Sequence, residues 1–506
     1  MKHATHWSER AGLWGYLVFF AVFGAIMTTK VSNIAGGADP SCYLELSRLF
    51  MHGTLTTELR PVAGLPLEAY PAHTYAPISY AAKPDHSGLV PTGFPGLPLL
   101  YSAFDVFLPT PVAIKAVVWL TLMGCGGLLF LLLRELGFGS AWAALGAIAM
   151  GLAPVVVLIG SNPMTDPLTC CLASLAWLLA LRAERGRRWA LALGFTLGFA
   201  VLTRSTNVLF FPPIALVLLS RGWRQVSWHF VVLGGLPAAI FMLAYNTAVH
   251  GGPFASTGYS DVWHLFNRAQ FTASMKFYVH WLHVLFFPAV IAVAPLALLR
   301  VRREPWLVAT ICAWVVGFVG FYAFYYASSE AWWILRYVLP AVGALIVAST
   351  LVLHRSEAWL TDRFRLARWR GVVPLLLAVA AVAYGSHQGR KLGAYGFLRN
   401  ELVIHDVMRW VQESTTRDDV FLAFNSSASL HYYTDRAFLR WDLLDAVGWE
   451  KIQRATSDKA EIYGIFYLFE FGDPGTIAGR LPGKWEMVFR THDTAIGVFK
   501  LARPSA

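Results

Sequence analysis

Apolar runs of membrane-crossing length recur along this chain, and they constrain its fold more than any other feature. They lie near 11–28, 111–133, 141–160, 167–183, 188–203, 207–220, 229–248, 278–299, 306–327, 333–353 and 371–386. About 20 helical residues cross ~30 Å of hydrocarbon. Lipid offers backbone groups no hydrogen-bond partners, so each run reads as helix. Only 14% of residues are charged and 56% are hydrophobic, whereas soluble domains carry about 25% charged residues. The expected fold is therefore a polytopic α-helical membrane protein with about 11 transmembrane helices. Pro154, Pro163, Pro167, Pro212 and Pro213 interrupt the third to sixth runs, and broken helices at membrane depth are tolerated where they line a protein cavity.

The formal net charge of +11 would suggest nucleic acid in a soluble chain. Here the basic residues sit in short loops, with no basic stripe interleaved with aromatics, so no nucleic-acid partner is expected. One set of alternate loops holds most of the arginines, among them Arg182, Arg185, Arg187, Arg188, Arg300, Arg302 and Arg303. The other set is longer yet holds few basic residues, Lys30, Arg48, Arg60, Lys83, Arg204, Arg268 and Lys276. The positive-inside rule then puts the N-terminus in the cytoplasm and the C-terminus outside. The first run lacks a convincing small-residue cleavage site and reads as an uncleaved span. Of five cysteines, only Cys42 falls outside an apolar run, and no pair has metal-ligand spacing.

The expected division is a transmembrane domain over 1–386, including a first outer loop over 29–110, and an extracytoplasmic α/β domain over 387–506. The loop opens with GGADPSCYLELSRLFMHG, residues 36–53. It carries Asp39, then an amphipathic helix with Tyr43, Leu44, Leu46, Leu49 and Phe50 on one side and Glu45, Ser47 and Arg48 on the other. The loop closes on PTGFPGLPLL, whose prolines and glycines fix a turn and bring backbone close to another surface. A helix at about 97–108 follows. In the last segment, alternation predicts a helix near 399–413 and strands near 419–424, 437–441, 461–469, 485–490 and 495–501.

Candidate site residues cluster at outer helix ends. They are the carboxylates Asp39, Asp85, Asp166 and Asp261, the histidines His73, His86 and His250, and the cations Lys83, Arg204, Arg268 and Arg336. Asp166 in SNPMTDP also suits a helix cap, and Arg336 suits an ion pair with Glu330. A carboxylate can activate an acceptor hydroxyl or hold a divalent metal, and guanidinium groups stabilise a leaving phosphate. Together at the rim of an apolar cavity, these groups suit glycosyl transfer from a polyprenyl-phosphate sugar.

The arrangement resembles the C-type glycosyltransferases, especially bacterial members related to protein O-mannosyltransferases and lipid A aminoarabinose transferases. The likeness rests on GGADPSCYLELSRLFMHGTL, PTGFPGLPLL, SNPMTDP, TRSTN, NTAVHGGPFASTGY and LRYVLP, in that order over about 30–350. It implies Asp39 as the catalytic carboxylate with Asp166 nearby, and Arg204, Arg336 and Lys83 on the donor phosphate. Tyr43, His250 and Tyr259 are expected to contact substrate. Two departures stand out: Pro40 follows Asp39 where many relatives have Glu, and Ser205 replaces a proline in TRSTN. Asp85 and His86 are candidates for a divalent metal ion. The expected partners are a polyprenyl-phosphate sugar donor, membrane lipid and a glycan, lipid or protein acceptor, at the bacterial inner (plasma) membrane. The alternative is a lipid-linked sugar transporter or flippase, which would favour two related halves and ionisable groups in mid-span; neither is evident.

Overall fold

The computed structural model describes residues 2–83, 85–222, 224–255, 263–365, 369–456, 460–467, 470, 477–491 and 496–502. The chain divides into two compact units. One comprises 1–31, 111–245 and 259–397; the other comprises 32–110, 246–258 and 398–506.

The first unit is helical. Lys2–Thr28, Thr110–Glu135, Thr165–Arg182, Trp228–His250, Leu339–Arg363 and Val372–Lys391 all fall on expected runs. Among the described residues, six helices are long and apolar enough to cross a membrane, or seven if the bent pair Ser140–Gly151 and Pro154–Gly160, which meets at 61°, is one span. The break falls at Pro154, as its ring requires. The remaining expected runs form shorter helices, so the count of about 11 stays an expectation. The run near 278–299 differs most: Gln270–Leu285, Pro288–Ile291 and Ala294–Arg300 are three separate pieces. Pro288 and Pro295 remove backbone donors there and start new turns.

Small residues let these helices approach closely, as expected where lipid supplies no hydrophobic drive. A Cβ on Gly194 would lie 1.8 Å from the Val231 carbonyl oxygen, and one on Gly234 would lie 2.1 Å from that of Leu191. Helices Arg187–Thr203 and Trp228–His250 thus pack backbone to backbone. Cys125, Cys170 and Cys171 are free and buried, with the Cys125 and Cys171 sulfurs 3.9 Å apart.

The second unit is built on a five-stranded sheet in the order Ala437–Leu439, Val420–Ala423, Ile462–Tyr467, Ile496–Leu501, Trp485–Arg490. The first three are parallel and the last two antiparallel. All five strands lie where alternation predicts them. One face packs Ile404, Val407, Met408 and Val411 of helix Phe397–Ser414. The other packs Trp441, Trp449 and Ile452 together with Val62, Tyr70 and Tyr75. Those last three come from the first loop, which was expected to belong with the transmembrane domain. Its backbone is tied in as well: Tyr70 donates to the Gly448 carbonyl at 2.6 Å, and Arg440 N–H to that of Thr74 at 2.9 Å.

Candidate functional site

In the first unit, Asp166 lies in the first turn of helix Thr165–Arg182 and is 3% exposed. The capping role does not hold: Met164 occupies the cap position, with no side-chain cap. Instead Arg204 donates from Nη1 to Asp166 Oδ1 at 2.6 Å. Arg336 brings Nε to 3.9 Å from Oδ2. Glu330, weighed as the partner of Arg336, lies exposed. Local sequence explains the convergence. Pro167 lies in the first turn of the Asp166 helix, the Arg204 backbone is extended between two helical stretches, and Arg336 lies in the last turn of the 3-10 segment Trp332–Val338.

Aromatic rings hold the two cations. The Arg204 guanidinium sits 4.5 Å from the Tyr337 ring centre and Arg336 sits 5.0 Å from it. Tyr322 stacks on Tyr337 at 5.1 Å and donates to Thr206 Oγ1 at 3.0 Å. Two guanidiniums against one carboxylate leave a net positive charge, in side chains 20% and 15% exposed. Such a partly desolvated site, with donors aimed and preorganised, suits an anion better than the same charges in water would. Tyr322 and Tyr337 were not singled out from the sequence, although Tyr337 stands beside Arg336 in LRYVLP.

In the second unit, Asp39 is half-buried in the first turn of helix Ala38–Met51. The helix N-terminus favours an anion there, and Tyr43 follows one turn on, on the same face. A Cβ on Gly93 would lie 2.9 Å from both Cys42 Sγ and the Tyr43 ring. Gly93 N–H donates to Cys42 Sγ at 3.0 Å. The proline-glycine turn thus lies directly on the helix, as its composition implies. The helix is less amphipathic than expected: Glu45 and Ser47 are buried too. Glu45 pairs with Arg48 at 2.6 Å, and Ser47 meets Ser102 at 3.2 Å.

Lys83, Asp85 and His86 sit in the connection between strands Tyr80–Ala82 and Leu89–Pro91, which pair antiparallel. Asp85 is exposed and accepts from Ser87 N–H at 3.0 Å. Hydrogen bonds from Ser87 hold its carboxyl below the usual range. That is the chemistry of an Asx turn. Among the described residues, no three His, Cys, Asp or Glu side chains gather as a metal site, so Asp85 and His86 lack a third ligand. His250 ends helix Trp228–His250 and is half-buried. Tyr259 and Asp261 lie outside the described residues.

The segment leading to Asp39 is held by the C-terminal segment. Ala35 N–H donates to Tyr433 Oη at 2.8 Å, and the Ala35 carbonyl accepts from Ser429 Oγ at 2.7 Å and Ser41 Oγ at 3.1 Å. Glu401 lies against the next residue, Gly36. Neither Ser429 nor Glu401 was a candidate from the sequence.

Comparison with known proteins agrees with the resemblance read in the sequence. Residues 101–246 match the family described as dolichyl-phosphate-mannose-protein mannosyltransferase. No curated protein matches the chain by sequence. Among solved structures, ArnT from Cupriavidus metallidurans bound to undecaprenyl phosphate aligns over 97% of this chain and 99% of that one. Its TM-score is 0.60 at 14% identity. The apo form of the same protein gives 0.59 at 16% identity, over 97% and 100% of the two chains. The apo oligosaccharyltransferase from Archaeoglobus fulgidus gives 0.56 at 11% identity, over 96% of this chain and 74% of that one. At these identities the likeness establishes a shared fold.

Proposed function

We propose that this chain is a membrane glycosyltransferase that moves a sugar from a polyprenyl-phosphate donor to an acceptor on the extracytoplasmic side. The observation that carries the reading is the pair of half-buried guanidiniums, Arg204 and Arg336, held on Tyr337 beside Asp166. A phosphate monoanion or dianion would balance the positive charge that Asp166 leaves uncompensated. The fold match to ArnT, which was crystallised with undecaprenyl phosphate, supports the same donor class.

In this reading Asp39 takes the proton of an acceptor hydroxyl. The freed oxygen bonds to the anomeric carbon as its bond to the phosphate oxygen breaks, inverting that centre. The electron pair leaves on the polyprenyl phosphate, whose charge Arg204, Arg336 and Lys83 stabilise. Asp166 keeps the arginines in place. Tyr43, His250 and Tyr259 contact the sugar or the acceptor. No step is routed through a metal, since Asp85 and His86 do not assemble a site for one among the described residues. The protein resides in a bacterial inner membrane with its N-terminus cytoplasmic and Asp39 outside.

The test is Asp39→Asn, which keeps the shape and removes the charge. Transfer from the polyprenyl-phosphate sugar pool of the host membranes should fall by about 10²–10⁴-fold, the usual contribution of a general base. The thermal midpoint should stay close to that of the parent protein. Full transfer by this variant would reject Asp39 as the base.

A further inference from the structure

We infer that Glu401 is a positioning residue for Asp39: its uncharged carboxyl forms the seat on which the Gly36 backbone rests, and ionising it unseats the Asp39 turn. The inference rests on the proposed role of Asp39 and adds a residue from the C-terminal segment to it.

The contact is close. A Cβ on Gly36 would fall 1.2 Å from Glu401 Oε2 and 2.2 Å from Cδ. The carboxyl thus occupies the space that any larger residue at 36 would need, three residues before Asp39. Oε2 is buried without a hydrogen-bond partner, and Glu401 is 6% exposed. A buried carboxylate with no cation is costly; among the described residues no cation pairs with Glu401. The titratable groups that face it are hydroxyls, Tyr433 from helix Ser427–Tyr433 and Tyr467 from strand Ile462–Tyr467. Behind Tyr467 lies a second carboxyl, Glu470, whose Oε2 accepts the Tyr467 N–H at 2.7 Å. Burial pushes the Glu401 carboxyl up to about 8.

The consequence follows from the anchors around it. Ala35 is fixed on both sides of its peptide by Tyr433, Ser429 and Ser41. Gly36 and Gly37 are then the links between that fixed point and the helix that carries Asp39. A charge appearing beneath Gly36 must draw in water, and the room for water comes from moving those links.

The experiment uses the full-length protein in detergent micelles from pH 6 to 9.5. It reads the infrared absorption of protonated carboxyls and transfer from the total polyprenyl-phosphate sugar pool of the host membranes. The parent should lose one carboxyl absorption with a midpoint near pH 8, and its kcat should fall about tenfold from pH 7 to pH 9. Glu401→Gln and Glu401→Met stay uncharged, so they should lack that absorption and keep kcat within about twofold over the same range. Gly36→Ala should lower kcat at least tenfold at pH 7, and adding Glu401→Ala should restore several-fold of it. A shared alkaline decline in the parent and both uncharged variants would overturn the inference, as would a double variant no better than Gly36→Ala. Asp39→Asn separates the two readings. Full transfer by it rejects the base, while the carboxyl titration and the Gly36 double variant, followed by thermal midpoint, still judge the seat.

Discussion

Removing the Asp166 carboxylate takes away a negative charge that faces both the Arg204 and the Arg336 guanidinium beside the Tyr337 ring. Breaking a buried pair by deleting one partner costs about 3–5 kcal/mol. Asp166→Asn should therefore lower the denaturation midpoint clearly, and inorganic phosphate should recover more stability in this variant than in the parent. Thermal melts with and without phosphate check both outcomes. Glu401 gives a second prediction, with its sign fixed by linkage. Its native carboxyl holds a proton that the unfolded chain releases above about pH 4.3. Stability should fall as pH rises from there and level off above about 8. Glu401→Gln should flatten that slope in melts taken at pH 5, 7 and 9. The sequence made Asp39, Asp166 and Arg204 readable because each is a charge where the pattern calls for none. Glu401 was hidden, because a single acid on a mixed-charge helix reads as solvated, and only the fold reveals that Gly36 covers it.

At the scale of elements, the glycines separate contacts that matter from those that do not. Gly194→Ala forces a methyl into the Val231 carbonyl, whereas Gly15 has nothing within 4 Å of its missing side chain. Overpacking typically costs about 1–3 kcal/mol. Gly194→Ala should lose that much stability in detergent, and Gly15→Ala should melt with the parent. The strands of the C-terminal sheet were legible as short runs rich in Val, Ile, Phe and Tyr between polar breaks, four of them buried on both faces, and the long helices because apolar runs of that length have few other outcomes. The break at 285–288 was less legible. Its flanks are as apolar as any span, so composition hides what Pro288 and Pro295 do to the backbone.

For the whole molecule, the unexpected element is the first loop. Val62, Tyr70 and Tyr75 lie scattered with no period, so nothing in the sequence says what they pack against. In the structure they complete one face of the C-terminal sheet. A chain ending after residue 397 would expose all three. Limited proteolysis should then cut within 54–91 in the truncated protein at rates at which the full chain stays intact, and transfer should be lost. Equal resistance in both would show that the loop folds without its sheet.

That shared core also sets a schedule for biosynthesis. Tyr75 leaves the ribosome about 345 residues before Val420, where the strands that receive these aromatic side chains begin. At about 5–20 residues per second, Tyr70 and Tyr75 wait roughly a quarter of a minute to a minute with no surface to bury them. Over that interval the nascent protein depends on whatever shields greasy patches in its compartment. Half-finished chains, rather than finished ones, are where chaperone loss would first be felt.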